Sequence, residues 1–156
     1  MHFKKSNDNQ STILHEGSVP YLTFKKLDQA GVRHGFSTRM GGVSEGMFST
    51  LNLSYNRGDK KEAVDENFRR ISEAIGFDHT KLVFSNQIHE TRIHKVTKED
   101  CGKVMKDMDG LATNEQGIPL YTGYADCVPL YLIDSVHKAI GLSHSGWRGT
   151  KGRMGQ

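Results

Sequence analysis

The sequence is poor in cysteine, with Cys101 and Cys127 alone in 156 residues, and its opening MHFKKSNDNQST has positive charge but no apolar run behind it. With no secretory leader, two thiols argue against a disulfide framework, so each needs its own explanation. No stretch approaches the roughly 18 consecutive apolar residues of a membrane span. Charge of one sign is scarce too. The 21 Lys and Arg against 18 Asp and Glu give a formal +3 and a pI near 8.9. Acids and bases are interspersed, which argues against a nucleic-acid binder and leaves phosphate-sized anions as partners. Apolar residues reach 35%, short of the roughly 45–50% of an average that also counts glycine, and the 17 glycines close most of the gap. Internal repeats and low-complexity blocks are absent. These features describe a cytoplasmic, somewhat polar, loop-rich protein with one domain.

What is present divides at residue 18. Residues 1–18 are polar and follow neither hydrophobic period, so they read as an irregular lead-in to a domain over 19–156. Val32–Ser37 reads as a strand running into the turn Arg39-Met40-Gly41-Gly42. Val64, Phe68, Ile71 and Ile75 then fall on one helical stripe, with a capping box from Asp59 and Glu62 ahead of it and Gly76 as its αL stop. Strands are expected at Leu82–Ser85, Thr91–Val96, Gly117–Tyr121, Val128–Ile133 and Lys138–Ser143. The apolar run Pro129–Ile133 reads as a central strand buried on both faces. One helix among many strands predicts an α+β fold. After Gly146-Trp147-Arg148-Gly149-Thr150 only six residues remain, where another element should open, so the chain reads as truncated.

Eight histidines are the main chemical resource. His2, His15, His79 and His137 lie in polar tails or turns and read as solvated, while His34 and His94 read as structural or surface residues. His89 and His144 differ, because each sits at a strand end, and Cys127 precedes a strand between them. Two imidazoles and a thiolate make a three-ligand zinc set that leaves a fourth position for water. The same residues support a different chemistry, a hydrolase or amidase with Cys127 as nucleophile and His144 or His89 as base. Cys127 as a small buried hydrophobe is the plain structural alternative. Cys101, in a charged turn, reads as neutral. Arg39 beside two glycines offers a guanidinium fork for phosphate or carboxylate, or is a plain surface turn. Asp109-Gly110 reads as a hairpin turn. Trp147 and Arg148 either pack on each other or form a pocket wall.

Seven motifs run in order: His34-Gly35-Phe36-Ser37-Thr38-Arg39-Met40-Gly41-Gly42-Val43-Ser44, Asn52-Leu53, Gly58-Asp59 with Val64 and Glu66-Asn67, Gln87-Ile88-His89, Asp109-Gly110-Leu111-Ala112-Thr113, Ala125-Asp126-Cys127-Val128-Pro129 and His144-Ser145-Gly146-Trp147-Arg148-Gly149-Thr150. Together they resemble the bacterial laccase-domain family, once called multicopper polyphenol oxidases and now described as zinc-dependent purine nucleoside phosphorylases. The resemblance implies a layered α/β/β/α-type sandwich with mixed sheets, and zinc on the residues matching His89, Cys127 and His144. It implies phosphorolysis of adenosine, inosine and methylthioadenosine to the base and a ribose 1-phosphate-type sugar, with adenosine deaminase activity beside it. Arg39 then becomes a candidate for holding phosphate or substrate. The H-x-E and P-C-x-x-C pattern of common zinc deaminases is missing, so deamination here is a convergent solution. Two plausible histidine ligands are too few for multicopper oxidation. Tyr124 and Ser145 stand where the family usually has Thr and Ala, beside presumed ligands. Family members run about a hundred residues past the Gly-Trp-Arg-Gly motif, which makes an inactive fragment a further reading.

Overall fold

The computed structural model describes residues 11–156, and the chain divides into two compact units, Met1–Phe77 and Asp78–Gln156. Residues 1–10 of the expected lead-in lie outside the described residues. The remainder of that lead-in is not irregular. Strand β1 (Thr12–His15) pairs antiparallel with β2 (Tyr21–Phe24), setting His15 against Tyr21. The polar composition hid this strand because it is a half-exposed edge.

In the first unit, β2 leads through the short helix α1 (Lys25–Gln29) to β3 (Phe36–Ser37), giving a three-stranded antiparallel sheet in the order β1-β2-β3. Helix α2 (Lys61–Ile75) follows the expected stripe, burying Val64, Phe68 and Ile71. Val19, Leu51 and Ile71 form its core cluster, flanked by Tyr21, Leu53 and Ile75. Gly76 ends the helix at φ +91°, as the αL stop requires. The capping box does not form. Lys60 is the N-cap and has no side-chain cap bond, because the Asp59 carboxylate instead accepts from Ser44 Oγ at 2.6 Å and Asn52 Nδ2 at 2.9 Å.

The second unit contains two sheets. Strands β4 (Val83–Asn86), β6 (Val104–Lys106) and β8 (Leu120–Tyr121) form a parallel sheet in the order β6-β4-β8. Strands β5 (Ile93–Lys95), β7 (Gly110–Thr113), β9 (Val128–Asp134) and β10 (Ala139–Ser145) form a mixed sheet in the order β5-β7-β10-β9. Val83, Val96, Leu111 and Ile118 are its buried cluster. Cys101, expected to have a surface or neutral role in a charged turn, packs partly against that cluster. A final short helix, α3, covers Trp147–Lys151. The fold is mixed α/β with both parallel and antiparallel strands, in keeping with the α+β expectation.

Two strand expectations are corrected. Strand β9 is not central among the described residues: there β10 is its one neighbour in the sheet, and Leu132 and Ile133 are 42% and 36% exposed. Pro129 carried the warning, since a residue without an N–H is confined to sheet edges or strand starts. Asp109-Gly110 is not a hairpin turn either. Gly110 begins β7, which is bonded on both sides, parallel to β5 and antiparallel to β10.

Candidate metal centre

The strand registers bring three distant segments of the second unit together. In the β9–β10 ladder His144 faces Pro129 and Ser145 faces Val128, so the next rung sets Gly146 beside Cys127. In the β7–β10 ladder Ser143 faces Gly110, which places His144 next to Asp109, and the His144 amide donates to the Asp109 carbonyl at 2.7 Å. His89 arrives in the segment between β4 and β5. The ligand atoms of His89, Cys127 and His144 all lie within 4.8 Å of one another. The two rings meet edge to face at 89°, with centroids 4.8 Å apart.

Asp109 ties the group together. Its side chain is fully buried, at 0% exposure. Oδ1 accepts the His89 amide at 2.9 Å and faces His144 Nδ1 at 3.0 Å. Oδ2 accepts the amides of Ile88 at 3.2 Å and Glu90 at 2.9 Å. Three successive N–H groups around one carboxylate form an anion-binding nest. His89 sits in the nest at φ +64°, an uncommon conformation for a residue with a Cβ.

The arrangement fits a metal ion. Metal–nitrogen and metal–sulfur bonds of about 2.0 and 2.3 Å imply ligand separations of about 3.3–3.8 Å around a tetrahedral centre. The donors lie within 4.8 Å of one another, so a shift of about 1 Å brings them to that spacing, and a carboxylate bonded to a ligand histidine is the usual companion of such sites. Space is reserved as well: a Cβ on Gly146 would lie 3.0 Å from Cys127 Sγ, 3.3 Å from His89 Cδ2 and 3.8 Å from His144 Cε1. His144 is buried and His89 exposed, so the group opens to solvent on one side. Burial, followed by the negative charges of Asp126 and Asp109, pushes the Cys127 thiol up. A thiol in such surroundings is a poor free nucleophile.

Tyr124 stands beside the buried histidine, its ring centroid 5.8 Å from that of His144. Burial pushes its hydroxyl pKa up, and the hydroxyl donates to the Ser143 carbonyl at 3.1 Å. Trp147 is 72% exposed, with the Arg148 guanidinium 5.4 Å from its ring, so the pair does pack together.

The other sequence candidates lie elsewhere. Arg39 belongs to the first unit, where its Nε and Nη2 both donate to the Ser49 carbonyl, at 3.0 and 2.6 Å. His34 is structural as expected, accepting the Phe24 amide at 2.7 Å. His15 is more than a solvated residue, since it stacks on Tyr21 with centroids 4.6 Å apart and bonds Thr23. His137 is exposed and bonded to Asp134, His79 is exposed, and His94 faces Asp100 at 3.6 Å. His2 lies outside the described residues. Sequence reading missed the role of Asp109. Its donors come from residues 88–90 and 144, so no local pattern announces it.

Comparison with known proteins adds an independent finding. The family described as multi-copper polyphenol oxidoreductase laccase matches residues 33–156. A protein named purine nucleoside phosphorylase YlmD, from Geobacillus stearothermophilus, is 40% identical over 130 residues, 79% of this chain and 47% of the relative. The protein of the same name from Bacillus subtilis is 38% identical over 129 residues, 78% of this chain and 46% of the relative. The crystal structure of the Geobacillus YlmD is similar at a TM-score of 0.84 and 36% identity, covering 90% of this chain and 55% of that one. The chain spans about half the length of the curated relatives it matches.

Proposed function

Since the chain belongs to the multi-copper polyphenol oxidoreductase laccase family, we propose that its chemistry is purine nucleoside phosphorolysis, with zinc held by His89, Cys127 and His144. The observation carrying this reading is the convergence of two imidazoles and one thiol within 4.8 Å, in a chain 40% identical over 130 residues to a relative named purine nucleoside phosphorylase. Among the described residues this is the one grouping of three or more metal-ligating side chains. Three ligands suit a single ion with an open position and fall short of the many histidines of a multicopper centre.

The substrates of this reading are adenosine, inosine and methylthioadenosine with phosphate, and the protein works in the cytoplasm. In the reaction the C1′–N9 bond breaks, a C1′–oxygen bond to phosphate forms, and the purine leaves with the bonding pair and takes up a proton. Zinc bound at the site supplies Lewis-acid polarisation of a substrate oxygen or nitrogen. The protein's own residues prepare the reaction. The Asp109 carboxylate requires the proton of His144 to sit on Nδ1, which leaves Nε2 bare as a ligand atom. Gly146 keeps the space between the ligands clear. Arg39, its guanidinium oriented by the Ser49 carbonyl, is assigned to phosphate. Adenosine deamination is a second activity of the same site.

The test is release of hypoxanthine from inosine with and without phosphate, and of inosine and ammonia from adenosine. Phosphate-dependent release that disappears on chelation and in His89→Ala supports the reading. Base release indifferent to phosphate overturns it. A cysteine hydrolase would instead keep turning over with chelator present. Burial and the neighbouring Asp126 and Asp109 charges, which push the Cys127 thiol up, weigh against that alternative.

A further inference from the structure

We propose that Asp109 is the positioning residue of this site, its buried carboxylate setting the geometry of two of the three ligands before any ion arrives. The inference rests on the metal-site reading above. It does not concern a ligand atom.

A carboxylate has about four lone-pair sites and no donor. Here three amide N–H groups, those of Ile88, His89 and Glu90, donate to it, and Nδ1 of His144 faces it at 3.0 Å. Because the acceptor cannot donate, the His144 proton must sit on Nδ1, and Nε2 presents its lone pair. The same carboxylate pins the His89 backbone at φ +64°, a conformation that needs external support in a residue with a Cβ. One side chain therefore fixes the tautomer of one ligand and the backbone of another. Full burial keeps water from competing for these bonds, and the β7–β10 ladder anchors Asp109 itself through the His144 amide. Asn is nearly isosteric but has a single acceptor oxygen and an amide donor, so Asp109→Asn turns a donor toward donors while conserving volume.

The experiment uses the 156-residue chain, metal-free, with ¹⁵N-labelled histidine, under conditions where the rings are neutral. Long-range correlation spectra report the tautomer. Wild type is expected to hold His144 as the Nδ1–H form and Asp109→Asn to lose that preference. Titration with zinc or cobalt(II) alone should then show affinity about 10–100-fold weaker in Asp109→Asn, with a weakened thiolate-to-cobalt band. A merely structural role would not move the tautomer in a variant whose far-UV circular dichroism is unchanged. An Nε2–H form in wild type overturns the proposal, as does an Asp109→Asn protein matching wild type in tautomer and affinity. If Asp109→Asn fails to fold, wild type still decides. The Nδ1–H form with slow amide exchange at 88–90 supports the proposal, and fast exchange there overturns it. A wild type that holds the Nδ1–H form yet binds neither ion supports the positioning role and overturns the zinc reading.

Discussion

Gly146 stands across the extended β9–β10 register from Cys127, so close that a Cβ placed on it would lie 3.0 Å from the sulfur. Its backbone, at φ −75° and ψ −179°, is one that alanine adopts freely, so the constraint is spatial. Gly146→Ala is expected to melt within a few degrees of wild type in the metal-free state yet retain much less metal. Elemental analysis beside a thermal melt checks both halves. Full metal retention would show that the space is incidental.

Removing a ligand should be more severe. Wild type purified without an affinity tag is expected to carry about one zinc per chain, and Cys127→Ala little. Chelation should lower the melting temperature of wild type and leave Cys127→Ala unmoved, because stabilisation by an ion requires a site to hold it. Equal shifts in both proteins would place the ion elsewhere.

How much of this was readable beforehand depends on whether the cause was local. The α2 stripe, Gly76 and strands β3, β4, β5, β8, β9 and β10 announced themselves, because periodicity and αL chemistry act within a few residues, whereas β1, β2, β6 and β7 did not. His89, Cys127 and His144 were nominated by residue type and strand-end position, but their meeting is a product of the β7–β10 and β9–β10 registers. Asp59 shows the limit. Its sequence context reads as a helix cap, yet Ser44 and Asn52, 15 and 7 residues back along the chain, hold the carboxylate instead. Only Pro129 signalled the edge position of β9, because the rest of an apolar run looks the same in a central strand as in an edge strand.

The Asp59 arrangement has a pH signature. The hydrogen bond from Ser44, then that from Asn52, holds its carboxyl below the usual range. Its folded-state pKa is thus below the unfolded value of about 3.9. The resulting stabilisation is present above that value and disappears as pH falls through the folded one. Asp59→Asn should therefore be less stable than wild type at pH 6, with the gap narrowing below about pH 4. Urea melts at both pH values test it. A gap independent of pH would assign the effect to packing.

Asn67 carries the neighbouring loop. Fully buried on α2, it accepts the Val43 amide at 2.8 Å and donates to Ser44 Oγ at 2.8 Å and the Asn52 carbonyl at 2.9 Å. Truncation to alanine removes the side-chain partner of the Val43 amide and of the Asn52 carbonyl and leaves Ser44 Oγ only its bond to Asp59, at about 1–3 kcal/mol for each group left unsatisfied. Partial relaxation brings the expected loss for Asn67→Ala to about 2–4 kcal/mol, read from denaturant unfolding. A loss under about 1 kcal/mol would mean that water replaces the amide.

The phosphate role proposed for Arg39 can be tested apart from metal binding. All three proposed ligands lie in residues 78–156, whereas Arg39 lies in the first unit and its guanidinium is held by the Ser49 carbonyl through Nε and Nη2. If the other edge of the guanidinium, Nη1 with Nη2, meets phosphate, Arg39→Lys keeps the charge and loses the paired geometry, while Arg39→Ala loses both. A charge-assisted hydrogen bond contributes about 1.5–3 kcal/mol, so the KM for phosphate should rise roughly 10–100-fold in Arg39→Ala and by less in Arg39→Lys. Zinc content should stay at the wild-type level in both. Initial rates of hypoxanthine release against phosphate concentration provide the measurement. If KM for inosine rises and that for phosphate does not, Arg39 holds the nucleoside. If neither changes, its bonds to Ser49 shape a turn and nothing more.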